Sequence, residues 1–398
     1  MIRILRIVGR MNVGGPARCV LNLAGALAGP EFETLVATGR SGIGEGDLAG
    51  ELAAMGIPME RIGGMGRELS PARDFGALRA IRKLIATFRP HIVHTHTSKA
   101  GVLGRLAAIA LRPAAGGRSA IGPPRLVHTF HGHVLDGYFG PWKSSLFREM
   151  ERWLAARTDA IVAVSASVRQ ELIERHGVGR PEQYRIIPSG GVAPVASCNR
   201  SAGDALRAEL GLGAGPVGGV VGRMVPVKGH DLLLAALGSI LAEVAGLTIL
   251  LVGDGPLRKK YEARADRLGV GAHLRFLGNR SDVARIMSAL DFLLLPSRKE
   301  GLPTVLLEAA AAGVPIAASR IPGVTDLFEN GSSALVFESE SPPALARAAI
   351  RLGGDRALRQ RLASAARRAA ARVMTRDAVA AAHGDLYKRL CSRRNEVV

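Results

Sequence analysis

The chain contains 398 residues, with 53 lysines and arginines against 34 aspartates and glutamates and a formal net charge of +19 at pH 7. Hydrophobic residues make up 47% and charged residues 22%, a globular composition that excludes a disordered or fibrous protein. The length predicts two domains, and a positive charge spread over both halves favours anionic ligands. Three widely separated cysteines, Cys19, Cys198 and Cys391, argue against a disulfide framework or a zinc cluster.

The N-terminal half alternates short apolar runs with amphipathic stretches. The runs predict strands over 2–8, 33–37, 91–94, 126–130, 160–164 and 186–188. The stretches between them predict helices over 19–27, 78–87, 101–111, 143–156 and 167–176. The first strand leads through Gly14 and Gly15 to Pro16, a residue favoured at the first helical position. This alternation predicts a parallel sheet covered by helices on both faces.

A turn-rich stretch at 189–194 separates this half from a second one of the same kind. There the pattern predicts strands over 217–221, 248–252, 274–276, 292–295 and 315–318. Predicted helices cover 230–243, 257–268, 282–289 and 304–312, followed by an Ala- and Arg-rich helical tail over 343–390. In such doubly wound sheets, ligands bind at the carboxyl ends of the strands. Two halves that face each other would form a ligand-binding cleft.

The segment between Glu300 and Glu308 is the strongest candidate site, because it follows a predicted strand and enters a predicted helix. Backbone N–H groups at a helix start have no intrahelical acceptor and attract anions. The N–H groups concerned are those of Gly301, Leu302 and Thr304, and Pro303 lies at the start of the helix. Glu308, one turn into the helix, has two acceptor oxygens for vicinal hydroxyls. The pattern suits a phosphate-bearing sugar; a capping acid followed by a surface glutamate is the alternative.

A second candidate segment joins the strand over 217–221 to the helix over 230–243. It carries Arg223 and Lys228 at the strand's carboxyl end, where two fixed cations can hold a diphosphate and stabilise it as a leaving group. Two solvated basic residues are the alternative in so basic a chain. The sequence contains no Asp-x-Asp pair, the usual means of holding a nucleotide-sugar diphosphate through a metal. Arg223 and Lys228 would therefore replace the metal.

Histidines follow two further predicted strands of the N-terminal half. His94 and His96 lie at the end of one strand, and His131 and His133 follow the next. A histidine in this position can act as a hydrogen-bond partner, a base or a metal ligand. Substrate contact is favoured over a zinc hydrolase, because the first strand ends in Gly9 and Arg10 without a histidine pair. A buried histidine satisfied by the backbone is the alternative for His94.

Together these segments resemble the retaining glycosyltransferases of family 4, which have the GT-B fold, and in particular bacterial members that build cell-surface polysaccharides. The likeness rests on the glutamates eight residues apart, the Gly-Arg…Lys-Gly loop, the segment 93–101 and the His-Gly strand end at 128–133. It implies a GT-B fold of two Rossmann-like doubly wound domains that face a central cleft. The expected domains are an acceptor-side domain over 1–190 and a donor-binding domain over 191–372. A C-terminal helix over 373–398 is expected to pack back on the first domain.

The resemblance also implies a role for each candidate residue. Arg223 and Lys228 would hold the donor phosphates, and Gly14 and Gly15 would approach them. The transferred sugar would meet Glu300, the backbone of Gly301 and Leu302, and His131, and Glu308 would bind the ribose. The remaining donor-loop residues are Pro303 and Thr304, and the acceptor-pocket candidates are His94, His96 and His133. No metal or other cofactor is expected.

The reaction implied by the resemblance moves a hexose or N-acetylhexosamine from a nucleotide-sugar, here expected to be UDP-linked, to a lipid-linked or glycan acceptor. A nonhydrolysing sugar-nucleotide epimerase of the same fold is an alternative, although it is not expected to carry the paired glutamates. A basic nucleic-acid-binding module is another, and sparse aromatics and evenly spread charge argue against it.

An interrupted apolar N-terminus and the absence of a run of 18 apolar residues predict a cytoplasmic protein without a signal peptide or membrane span. Residues 135–153 concentrate aromatic and basic side chains, among them Trp142, Trp153 and Lys143. This stretch suits either peripheral contact with an anionic membrane on its inner face or an ordinary core-facing helix. The sequence leaves both interpretations open.

Overall fold

The computed structural model describes residues 1–42, 45–66, 68, 70–111, 122–132, 135, 140–189 and 199–392. The chain divides into two compact units: Met1–Gly191 with Met374–Val398 form the first, and Val192–Val373 form the second. Each unit contains one parallel sheet covered by helices, which confirms the predicted fold class of two Rossmann-like domains. Most of the turn-rich stretch at 189–194 lies outside the described residues.

The first unit is built around a parallel sheet, seven-stranded within the described residues. Its strands are β1 (Ile2–Arg10), β2 (Phe32–Gly39), β3 (Met59–Arg61), β4 (Ile92–His96), β5 (Arg125–Phe130), β6 (Ala160–Ala163) and β7 (Tyr184–Ile186), in the order β3-β2-β1-β4-β5-β6-β7. The helices are α1 (Gly15–Ala26), α2 (Ala49–Ala54), α3 (Pro71–Phe88), α4 (Ser98–Ile109), α5 (Pro141–Ala155) and α6 (Ala166–Gln170). The central strands are largely buried, as expected for a sheet covered on both faces, and they enclose Arg6, His94 and His96 as well as apolar side chains.

The second unit repeats this architecture with six described strands. They are β8 (Val217–Val221), β9 (Thr248–Val252), β10 (Leu274–Gly278), β11 (Phe292–Leu295), β12 (Ile316–Ser319) and β13 (Leu335–Phe337), in the order β10-β9-β8-β11-β12-β13. The helices are α7 (Arg200–Glu209), α8 (His230–Glu243), α9 (Arg258–Arg267), α10 (Val283–Ala289), α11 (Thr304–Ala312), α12 (Pro322–Thr325), α13 (Pro342–Gly354) and α14 (Arg356–Ala370). The strand order reverses between β8 and β11, so the loops after these two strands flank the switch point where such sheets bind ligands.

The C-terminal helix α15 (Arg376–Ser392) belongs to the first unit and packs on α1. Its Tyr387 is fully buried and meets Phe32 edge to face, with ring centroids 6.4 Å apart. Within the described residues no helix is both long enough and apolar enough to span a bilayer.

The helical tail predicted over 343–390 consists of three helices, and one strand predicted from the sequence was misplaced. Asp355 caps the second helix of the tail, α14, accepting a hydrogen bond from the backbone N–H of Leu358 at 2.8 Å. The strand predicted over 186–188 lies two residues earlier, at Tyr184–Ile186. The sequence analysis also missed the three-residue strands β3 and β13, which are too short for an alternating pattern.

Candidate active site

The loop from β8 to α8 is fixed against the loop that follows β11. Gly229 has a φ of 68°, and a side chain there would collide with the carbonyl oxygen of Pro296. Arg298 reaches back across the same contact, donating to the two carboxylate oxygens of Asp231 at 2.9 and 2.8 Å and to the carbonyl of Pro226 at 2.6 Å. The ion pair with Arg298 holds the pKa of Asp231 below its usual value. The two loops therefore form one braced surface.

This bracing brings together Lys228 and Glu300, which lie 72 residues apart. The Lys228 Nζ donates to Glu300 Oε1 at 2.6 Å, and the Ser297 hydroxyl donates to the same oxygen at 2.7 Å. The Lys228 and Glu300 side chains are only 26% and 12% exposed. An ammonium has three donors, so Lys228 keeps two for another ligand while Glu300 fixes its position. Arg223, half-buried, begins the same loop.

Backbone donors lie beside this ion pair at the start of α11. Within the described residues, the N–H groups of Gly301, Leu302 and Thr304 donate no hydrogen bond to another backbone carbonyl. Gly323 packs so closely that a side chain there would come within 3 Å of the Glu300 and Gly301 carbonyls. Pro303 is the N-cap residue, and Glu308 is exposed one turn into the helix. The arrangement offers an anion site next to a paired lysine and glutamate.

The sequence analysis missed the loop after β9 that supports this site. Gly253 has a φ of 125°, and a side chain there would collide with the carbonyl of Gly222, just before Arg223. Gly255 packs on the backbone of Met224 in the same way. The Gly-Asp-Gly-Pro sequence after a buried strand was the available signal, because glycines there permit close backbone approach. Ser297, which bonds Glu300, was missed as well and carries no sequence signal.

In the first unit, Gly14 and Gly15 lie where the sequence predicted, between β1 and α1. Gly14 is the N-cap of α1 and Gly15 its first residue, and no described residue occupies the space a Gly15 side chain would fill. The loop is braced by Glu45: its carboxylate accepts from Arg10 at 2.7 and 2.6 Å, and its carbonyl accepts from the Val13 N–H at 3.2 Å.

The predicted histidines separate into core and loop positions. His94 is fully buried, and its ring bonds Tyr387 Oη at 2.6 Å and Thr129 Oγ1 at 2.7 Å. Both ring nitrogens are thus occupied, so His94 is a core residue and the acceptor-pocket role predicted for it is wrong. His96 is also fully buried, and its Nδ1 lies 3.0 Å from His131 Nε2. His133 lies outside the described residues.

Burial keeps the loop histidine neutral. It lowers the pKa of His131 to about 3, with a further contribution from His383. Burial is the main cause that holds the pKa of His96 well below its usual value, and the neighbouring His131 and Arg6 add to it. No group of three or more acidic, cysteine or histidine side chains in the described part of the chain could hold a metal ion. His96 and His131 lie at the carboxyl ends of β4 and β5, and a neutral imidazole carries one hydrogen-bond donor and one acceptor.

Two family models match the chain along most of its length. The model for a glycosyl transferase 4-like domain matches residues 14–190, and the model for glycosyl transferases group 1 matches residues 205–369. The chain belongs to the family-4 glycosyltransferases of the GT-B fold. It is therefore a glycosyltransferase, rather than an epimerase or a nucleic-acid-binding module.

Curated relatives of this glycosyltransferase are themselves named as sugar transferases. It is 29% identical over 298 residues to the UDP-Gal:alpha-D-GlcNAc-diphosphoundecaprenol alpha-1,3-galactosyltransferase of Escherichia coli, covering 73% of this chain and 74% of that protein. It is 28% identical over 234 residues to the lipopolysaccharide core biosynthesis glycosyltransferase LpsE of Rhizobium meliloti, covering 58% of this chain and 65% of LpsE.

Solved structures share the fold over the whole chain. HepE of Anabaena, crystallised with UDP and glucose, is 22% identical, with a TM-score of 0.82, covering 98% of this chain and 100% of HepE. WaaG, a glycosyltransferase involved in lipopolysaccharide biosynthesis, is 18% identical, with a TM-score of 0.71, covering 96% of this chain and 98% of WaaG.

Proposed function

We propose that this glycosyltransferase moves a hexose or N-acetylhexosamine from a UDP-sugar to a lipid-linked or glycan acceptor, with retention of configuration and without a metal. The observation that carries the proposal is the Lys228–Glu300 pair beside the backbone N–H groups that lead into α11. The E. coli relative is named for a UDP-linked sugar and a diphosphoundecaprenol acceptor, and HepE was crystallised with UDP-glucose. Both names favour a UDP-sugar.

On the donor side, fixed cations would take the place of a metal. Lys228 keeps two donors, and Arg223 starts the same loop, so a diphosphate can receive charge-assisted hydrogen bonds from both. These bonds strengthen as negative charge develops on the leaving phosphate, which lowers the barrier to transfer. Glu300 would meet the hydroxyls of the transferred sugar, and Glu308 the ribose diol.

Retention would follow from attack on the face that the diphosphate leaves. The bond from the sugar's anomeric carbon to the phosphate oxygen breaks while the bond to the acceptor oxygen forms on the same face. The acceptor's proton passes to the departing phosphate oxygen. This path needs no protein base, in keeping with a neutral His131 whose pKa burial lowers to about 3.

A donor and metal screen tests the proposal. UDP and UDP-sugars should raise the melting temperature more than GDP-mannose; a ligand at 100 times its Kd adds about 2.7 kcal/mol to the stability of the state that binds it. Transfer from the selected donor should survive EDTA, and NMR of the product should show the donor's anomeric configuration. Loss of transfer in EDTA that Mg²⁺ restores, or an inverted product, would contradict the metal-independent or the retaining assignment, respectively.

We further propose that α5 brings the enzyme to an anionic membrane. Trp142, Leu146 and Trp153 recur on one face of the helix and are 69%, 61% and 44% exposed. Lys143 lies over the Trp142 ring at 5.4 Å, and Arg157 over the Trp153 ring at 3.9 Å. Both tryptophans thus face solvent, unlike those of a core-facing helix. Aromatic rings with basic neighbours suit the interface of an anionic bilayer.

Vesicle flotation tests this surface. The enzyme should float with phosphatidylglycerol vesicles at low salt and be released at 0.15 M salt, where the screening length falls to about 8 Å. Trp142→Ser should weaken flotation, whereas Phe75→Ser on α3, an equally exposed aromatic, serves as the matched control. Unchanged flotation of Trp142→Ser, or equal loss in both variants, would count against α5 as the contact surface.

A further inference from the structure

A buried serine and Lys228 share one carboxylate oxygen of Glu300. The serine, Ser297, lies two residues after the end of β11 and is fully buried. Its hydroxyl donates to Glu300 Oε1 at 2.7 Å, and Lys228 Nζ donates to the same oxygen at 2.6 Å. A carboxylate has about four lone-pair sites on its two oxygens, so these two donors use the full accepting capacity of Oε1.

The second carboxylate oxygen of Glu300 is available to a ligand. In the described part of the chain, Glu300 Oε2 accepts no hydrogen bond from the protein. Solvent reaches this oxygen, since the side chain is partly exposed and Oε2 is not covered by neighbouring atoms. Its lone pairs can accept hydrogen bonds from the hydroxyls of a sugar. The protein therefore holds the carboxylate by Oε1 and leaves Oε2 as the acceptor for a ligand.

The backbone on both sides of the serine is fixed to the loop that carries Lys228. The residue before the serine is Pro296, whose carbonyl oxygen lies so close to Gly229 that a side chain at Gly229 would collide with it. The residue after the serine is Arg298, whose backbone N–H donates to the Val227 carbonyl at 2.8 Å. Val227 and Gly229 are the chain neighbours of Lys228. These two backbone contacts therefore hold the serine and the lysine close to the same carboxylate oxygen.

The serine supplies a constraint that the lysine alone does not. The last torsion of a glutamate side chain has a broad energy minimum, and Lys228 reaches Oε1 through a flexible four-carbon stem. In Ser297 only one torsion separates the hydroxyl oxygen from a buried backbone that is fixed on both sides. Two donors on one oxygen, one of them rigidly placed, restrict rotation of the Glu300 carboxylate and so set the direction of Oε2.

We infer that Ser297 is a positioning residue that orients the Glu300 carboxylate, so that Oε2 accepts hydrogen bonds from the transferred sugar while Oε1 stays bonded to Lys228. The contacts that orient the carboxylate all lie within the second unit. Their effect on sugar transfer rests on the proposed transferase function. Because UDP lacks the transferred sugar, loss of the serine hydroxyl should slow turnover and leave UDP affinity unchanged.

Substitutions at two buried serines test the inference. Ser297→Ala removes the hydroxyl, and Ser297→Thr keeps it. Ser319→Ala is the matched control: Ser319 is equally buried at the end of the neighbouring strand β12, but its hydroxyl has no hydrogen-bond partner in the described part of the chain. Ser297→Ala should lower kcat about tenfold or more, because a hydrogen bond to a charged group is lost, and Ser297→Thr should recover most of the rate.

Calorimetric titration with UDP and a double-mutant cycle separate positioning from a merely structural role. The Kd for UDP should be the same in the parent enzyme, Ser297→Ala and Ser319→Ala. In a Glu300→Ala background, Ser297→Ala should lower kcat less than about twofold, since the serine then has no carboxylate to orient. Full activity of Ser297→Ala, an equal loss in Ser319→Ala, or an undiminished effect in the Glu300→Ala background would overturn the inference. If Ser297→Thr does not fold, these comparisons still decide it.

Crystal structures of the parent enzyme and of Ser297→Ala, each with UDP, show the carboxylate directly. We expect Glu300 Oε1 to bond both Ser297 and Lys228 in the parent enzyme, and the carboxylate to be rotated away from this position in Ser297→Ala. A Glu300 side chain that is unchanged in the variant would refute the positioning role. A correctly placed carboxylate in an enzyme that transfers no sugar from any UDP-sugar would instead refute the proposed function.

Discussion

Glu300 and Glu308, the two glutamates of the donor loop over 300–308, should affect different steps of the reaction when each is changed to glutamine. Glu308 is exposed on α11, where its carboxylate can accept two hydrogen bonds from the ribose diol. Hydrogen bonds to a charged group contribute about 1.5–3 kcal/mol. Glu308→Gln should therefore weaken UDP binding by about 10- to 150-fold, at about 1.4 kcal/mol per tenfold.

Glu300→Gln should leave UDP binding nearly intact and slow turnover. The amide oxygen can still accept from Lys228 and Ser297, which now bond Glu300 Oε1 at 2.6 and 2.7 Å. Loss of the charge from a partly exposed ion pair costs about 1 kcal/mol or less, so the Kd for UDP should change less than about fivefold. The transferred sugar loses a charged acceptor, so kcat should fall on the order of 100-fold.

Calorimetric titration with UDP, followed by steady-state rates with the UDP-sugar, separates the two effects. Glu209→Gln is the control, since Glu209 pairs with Arg285 elsewhere in the second unit and its loss should alter neither quantity. Equal affinity losses for Glu300→Gln and Glu308→Gln would refute the division of roles between them.

Three further variants or conditions test the rest of the molecule. Arg223→Ala or Lys228→Ala should each cost about 2–4 kcal/mol in kcat/KM; a loss that added Mg²⁺ restores would contradict a metal-free phosphate site. Burial keeps the histidines of the first unit neutral, with pKa values of about 3 for His131 and about 4 for His383. In the unfolded chain the histidine pKa is near 6.5, so the unfolded state takes up protons first as the pH falls below that value. The free energy of unfolding should then decrease by up to about 1.4 kcal/mol per histidine and pH unit until the pH reaches the folded-state pKa values. Urea unfolding followed by tryptophan emission should show this decline, because both tryptophans lie in the first unit; equal midpoints at pH 7.5 and 5.5 would contradict it. Arg6→Met should leave the first unit at least as stable, since it removes a buried charge that no carboxylate pairs with in the described part of the chain; a large loss of stability would show that its hydrogen bonds outweigh its desolvation.

The elements with strong periodicity could be predicted from sequence almost to the residue. β8, β9, α8, β11 and α11 have the bounds that the apolar runs and turn residues predicted, because each is long or flanked by glycine or proline. The tail could be predicted as helix because alanine and arginine favour helix throughout. Its breaks lie at the caps Asp355 and Thr375, and Thr375 Oγ1 accepts a hydrogen bond from the Ala378 N–H at 3.2 Å.

The donor loop could be predicted from the sequence for a related reason, because its candidate residues lie in one contiguous segment. The contact of Lys228 with Glu300 joins residues 72 positions apart, and sequence could bring them together only by assuming parallel strands with adjacent carboxyl ends. The surroundings of the histidines could not be predicted from the sequence. Whether His94 faces a pocket or the core depends on Tyr387, 293 residues away, and no local pattern carries that information.

Two energetically unfavourable features of the first unit lie near His96: the backbone conformation of Thr97 and the buried charge of Arg6. Thr97 has a φ of 67° and a ψ of 159°, a region that costs a β-branched residue about 1–3 kcal/mol. It is held there partly by the Gly9 N–H, which donates to its Oγ1 at 3.2 Å. Arg6 is a fully buried charge without a carboxylate partner in the described part of the chain. Natural sequences keep such costs mainly where function requires them. The strained backbone of Thr97 and the buried charge of Arg6 therefore mark the surroundings of β4 as a part of the first unit where stability is given up for function.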